Sequence, residues 1–114
     1  MREIKFREWN PDTKTMCHVD ILNCRNEMQY LMQYIGAKDK NGVEIYEGDV
    51  IRENARRNKV DYVIRWSAAA CRFVAEPFIA GRIYPNLNQG TMVHYEVIGN
   101  IYESPELVSN ETDT

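Results

Sequence analysis

The chain has 114 residues, 44% hydrophobic and 27% charged, with a formal net charge of −3. That length and composition fit one globular domain that buries a core without help from metals or disulfides. The charge is too small to imply a nucleic-acid or other polyionic partner, and no apolar run approaches the roughly 18 to 20 residues of a membrane span, so no membrane partner is expected.

Residues 2–9 alternate in part: Ile4 and Phe6 are apolar, Glu3, Lys5 and Arg7 charged, and Trp9 follows after a slip. This predicts a strand with one buried face. The same opening lacks the apolar core of a signal peptide, so a cytoplasmic location is expected. Residues 10–15, NPDTKT, read as a turn, because proline fixes φ and Asx side chains bond their own backbone. Residues 16–21 return as a second strand, which makes an N-terminal hairpin within residues 1–21. Trp9, near its tip, is expected to pack on the domain or to mark an exposed contact. Residues 22–30 read as connection.

The densest signal is residues 31–52, LMQYIGAKDKNGVEIYEGDVIR. Leu31, Gln33 and Ile35 share one side of an extended run, with Met32 and Tyr34 on the other. Gly36 is expected to break the run, and Asp39-Lys40-Asn41-Gly42 to turn it, since Asn-Gly accepts the positive φ of a tight hairpin. Val43 to Tyr46 returns, and Glu47-Gly48-Asp49 turns again before Val50-Ile51-Arg52.

Residues 53–59 are polar and basic and read as a hairpin tip or loop. Residues 60–66, VDYVIRW, are strongly strand-forming. A small-residue turn follows at residues 67–70, then extended chain to Pro77. Residues 78–89 predict an irregular excursion with a short helical turn. Residues 92–102 predict a strand pair or one bent strand, with Gly99 permitting a bulge. The remainder turns acidic, and its end is expected to be disordered.

Short strands with turns every eight to twelve residues or so argue a mainly β domain over residues 1–107. It is read as a small SH3-like or related β-barrel at 31–107 carrying the N-terminal hairpin, with little helix and a disordered acidic tail at 108–114.

Three stretches also resemble the YopX family of phage and prophage proteins. They are the opening REIKFR-x-W from Arg2 to Trp9, the central motif from Leu31 to Asp49, and VIGNIYE-x-PEL from Val97 to Leu107. Residues 54–91 carry no match beyond strand character. The resemblance implies a phage-encoded or prophage-encoded protein with a largely β fold. It brings no mechanism with it.

No constellation of acid, base and nucleophile emerges, so catalysis is not expected. Cys17 and His18 are strand neighbours and point to opposite faces, and His94 is isolated. Cys17, Cys24 and Cys71 are expected to be reduced thiols, lacking CxxC or HxxxH spacing for zinc. Asp39, Glu44, Glu47 and Asp49 invite a cation but are explained by turn chemistry. No metal and no cofactor are expected.

One charge asymmetry remains. Arg52, Arg56, Arg57, Lys59, Arg65 and Arg72, against Glu53 and Asp61, leave a local excess of four positive charges, with Tyr62, Trp66 and Phe73 interleaved. On a surface this is a place where phosphates meet cations and bases stack. Buried aromatics under a solvated basic tip are the simpler reading, because their alternation suits a core face. The sequence therefore favours a non-enzymatic phage accessory protein. It would bind a host or phage protein through exposed aromatics such as Trp9 or Tyr84, with self-association open. A nucleic-acid module built on residues 52–72 is the alternative.

Overall fold

A computed structural model of the protein describes residues 3–19, 30–53, 60–79, 81 and 83–109. The alternating N-terminal segment forms β1 (Phe6–Asn10) and β2 (Thr15–Val19), paired antiparallel with Arg7 opposite His18 and Trp9 opposite Met16. Asn10 makes the turn, its Oδ1 accepting the amides of Asp12 and Thr13 at 2.9 and 3.2 Å.

The central motif supplies β3 (Leu31–Lys38) and β4 (Glu44–Tyr46). Gly36 does not break β3. The strand runs on to Lys38 and absorbs the glycine, at φ +94°, as a register shift against β4 between Tyr34 and Lys38. A bulge of this kind bends a strand without ending it. Met32 and Tyr34, on one side of the run as the alternation put them, are the buried side. The first sheet has the order β2-β1-β3-β4.

The second sheet, order β7-β6-β5-β8, is built from β5 (Asp49–Glu53), β6 (Asp61–Ser67), β7 (Arg72–Pro77) and β8 (Tyr95–Asn100). Its central strands are buried on both faces, with Val50, Ile51, Val63 and Ile64 fully enclosed. That is why Tyr62, Val63 and Ile64 are apolar in succession between the charged Asp61 and Arg65. The β5–β8 register shifts so that Val50 faces Gly99 while Ile51 faces Val97, the bulge expected at Gly99. Gly99 also permits a close approach. A Cβ there would stand 2.5 Å from Ser104 Oγ and 2.9 Å from Leu107 Cδ1, so only glycine lets α2 (Pro105–Ser109) lie on β8.

The helical turn lies later than expected, at α1 (Gln89–Met92), so Met92 is helical and the last strand begins only at Tyr95; α1 is capped by Asn88, whose Oδ1 accepts the Thr91 amide at 2.8 Å. Met92, fully buried, plugs the shared core beside Ile45, Ile51, Tyr62, Ile64 and Tyr95. The Gln89 side chain accepts from Lys38 N at 2.8 Å and donates to Lys38 O at 2.9 Å, standing in for a strand partner at the end of β3. The protein is thus mainly β with little helix and an N-terminal hairpin, as the sequence led us to expect, its strands divided between two sheets. The tail expected to be disordered from residue 108 is helical at its start, since α2 runs to Ser109; residues 110–114, the connection at residues 22–29 and Cys24 lie outside the described residues.

Candidate functional site: a groove between the sheets

The four acidic residues of the central motif do not converge. Asp39, 4% exposed, accepts the amides of Asn41 and Val43 on Oδ1 and that of Val97 on Oδ2. Asp49, 1% exposed, accepts the Tyr46 amide at 2.8 Å and Arg7 Nη2 at 2.6 Å. Burial pushes the Asp49 carboxyl up, against the pull of Arg7. Glu44 is hydrogen-bonded to Lys5, which holds it below its ordinary value, and it accepts the Tyr46 hydroxyl at 3.2 Å. Burial pushes Tyr46 up to about 12. Glu47 is half-buried and also raised by burial. Among the described residues no group of His, Cys, Asp and Glu is arranged to hold a metal ion.

The N-terminal histidine fares likewise. His18 meets Tyr46 edge-on at 5.9 Å between ring centroids, and Cys17 beside it is an exposed free thiol. His94 is exposed.

The structure treats the residues of the basic segment very differently from one another. Arg52 pairs with Asp61 through two hydrogen bonds, at 2.7 and 3.1 Å. Arg65 pairs with Glu76 at 3.4 Å. Arg72, on the exposed start of β7, has no ion-pair or hydrogen-bond partner among the described residues. Arg56, Arg57 and Lys59 lie outside the described residues.

The aromatics divide too. Tyr62 is buried against Tyr95. Trp66 is 53% exposed and meets Phe73, its partner across the β6–β7 pair, edge-to-face at 5.2 Å. Period-2 alternation puts Trp66 on the face of Tyr62 and Ile64. Those two belong to the core, whereas Trp66 stands past its edge. Trp9 takes the opposite course. It is 8% exposed and stacks on Tyr102 at 5.7 Å, so it holds the hairpin to the domain and offers no contact surface. Tyr84 is 51% exposed, in the connection before α1, and is not among the residues that line Trp66's groove.

Trp66 and Phe73 open onto a solvent-open groove of about 1010 Å³. One wall is β3 from Gln33 to Gly36, the other is the β6–β7 hairpin with Trp66, Cys71, Arg72 and Phe73, and Asn86, Leu87 and Asn88 also line it. The hairpin turn is tightly specified: Ser67 Oγ accepts the Ala70 amide at 3.1 Å, and Cys71 adopts φ +53°. Glu3 also lines the groove, its carboxylate 3.3 Å from Lys5 Nζ. Sequence reading had Trp66 and Arg72 in one basic segment. Their convergence with β3 carries no sequence signal, since it depends on how the two sheets meet.

A family model described as YopX protein matches residues 21–109. The crystal structure of protein EF1440 from Enterococcus faecalis is similar to this chain, with a TM-score of 0.68 and 25% sequence identity, covering 95% of this chain and 99% of that one. No curated protein matches the chain.

Proposed function

The chain belongs to the YopX protein family, and from that premise we propose that it is a non-enzymatic accessory protein of a phage or prophage that works by binding another protein. Its setting is the cytoplasm of a bacterial host, and the contact surface is the groove between the two sheets. One observation carries this reading. Trp66 is a large aromatic held half-exposed in fixed geometry against Phe73 at the lip of an open groove. Rigid exposed aromatics of this kind supply most of the energy at protein interfaces, because they bury much area for little lost side-chain freedom. The nucleic-acid alternative draws support from Arg72 beside the same two rings, but Arg52 and Arg65 commit their charge to Asp61 and Glu76.

The test is retention of host-lysate proteins on immobilised wild-type and Trp66→Ala protein after nuclease treatment. A discrete protein retained by the wild type and lost by the variant, with both equally folded, is expected. Retention that disappears with nuclease, or that the variant keeps in full, overturns the proposal.

A further inference from the structure

Among the residues that line the groove, Glu3 and Arg72 carry its formal charges. Its acid, Glu3, is engaged by Lys5. Its cation, Arg72, is exposed and has no partner among the described residues. An exposed guanidinium offers a planar fork of donors matched to a carboxylate, and it strengthens as water is displaced around it. Trp66 and Phe73 next to it form an apolar corner. Gln33 to Gly36 line the other wall of this solvent-open groove of about 1010 Å³.

From this pairing of one unengaged cation with one aromatic corner, and resting on the groove reading above, we infer that the groove takes an extended peptide segment of a partner protein bearing a carboxylate beside an apolar side chain. Arg72 holds the carboxylate, and Trp66 with Phe73 holds the apolar group. A single-stranded nucleic acid fits this surface less well. Its affinity comes from a row of phosphates neutralised together, and the groove presents a single cation among the described residues. A second copy of this chain, itself at −3, adds like-charge repulsion.

The experiment is selection of a displayed library of random short peptides on the full-length wild-type protein, on Trp66→Ala and on Arg72→Glu, each variant first checked for an unchanged melting temperature. Wild type is expected to enrich Asp or Glu at a fixed spacing from Leu, Ile or an aromatic residue. The best such peptide, synthesised, should lose about tenfold or more in affinity for Arg72→Glu. Selection on that variant should turn to Lys or Arg at the same position. Peptides lost with Trp66→Ala but indifferent to Arg72→Glu overturn the acidic specificity while leaving the groove as the contact surface. Peptides indifferent to both changes overturn both readings. Failure to enrich any peptide overturns this inference alone, as does displacement of the best peptide by an oligothymidine probe.

Discussion

Asp39 Oδ2 accepts the backbone amide of Val97 at 2.9 Å, across fifty-eight positions of sequence. The same carboxylate closes its own hairpin by accepting Asn41 N and Val43 N on Oδ1, and Lys40 N donates to Tyr95 O at 2.9 Å beside it. The β3–β4 turn thereby seals the outer edge of β8, one of the two open edges of the second sheet. An exposed edge would present unpaired amides to any passing strand.

Asp39→Asn keeps the turn's acceptor on one atom and sets an amide donor against the Val97 N–H. A buried donor left without its partner costs about 1 to 3 kcal/mol. A drop of that size in urea-derived stability is expected. No change would show that Asp39 serves only its own turn.

Arg7 reaches from β1 to Asp49, with its guanidinium 4.7 Å from the Tyr46 ring and its Nε buried without a hydrogen-bond partner. Removing one member of such a pair strands the other in the interior, typically at about 3 to 5 kcal/mol. Arg7→Met should therefore be severe. The double change with Asp49→Asn, which retains an oxygen for the Tyr46 amide, should cost clearly less than the sum of the single changes. Strict additivity in chemical denaturation would mean that the pair is not coupled.

Glycine positions separate backbone strain from packing. Gly42 sits at φ +80° with nothing within 4 Å of where a Cβ would stand. Gly48 sits at φ +88°, and its Cβ would lie 3.1 Å from Met32 Sδ. Gly42→Ala should cost about 1 kcal/mol, the price of a left-handed conformation alone. Gly48→Ala should cost measurably more, because Met32 must also move. Melting temperatures in the reverse order would contradict the packing at Gly48.

Glu47 gives a pH signature. Burial raises its carboxyl above the ordinary 4.5, so the folded chain holds that proton longer than the unfolded chain. The resulting stabilisation is complete below about 4.5 and is lost as pH rises through the raised value. Asp49, also raised by burial, acts in the same direction from its ordinary 3.8. Glu44, lowered by Lys5, acts in the opposite one: its contribution is present above 4.5 and lost as pH falls. Glu47→Gln should flatten the decline in stability on raising the pH from the mid-fours towards neutrality. An unaltered pH profile in urea titrations would exclude Glu47 as a contributor.

The two tryptophans should respond differently to truncation. Trp9→Ala should cost about 3 kcal/mol or more as a buried large-to-small change. Trp66→Ala, at a half-exposed ring, should cost little. Acrylamide should quench the fluorescence that remains in Trp9→Ala more readily than that in Trp66→Ala. Equal quenching would contradict the two burials.

Much of the architecture was legible in the amino-acid order, because local chemistry sets it. Asn-Gly after Asp39 turns the chain, alternation sets Met32 and Tyr34 on one side of their strand, and Asn10 closes the first hairpin. Gly36 and Trp66 were misjudged by the same local rules. Gly36 looked like a stop but is a bulge, since β4 pairs with Lys38 beyond it. Trp66 carries the parity of Tyr62 and Ile64, yet no opposing layer covers it. Which arginine is engaged was equally invisible, because Arg65 reaches Glu76, which the register places opposite Val63 and not opposite Arg65 itself. Pattern along a chain reports which face a side chain takes. Whether anything waits on that face depends on how two sheets meet, and that is decided by contacts between residues far apart in sequence.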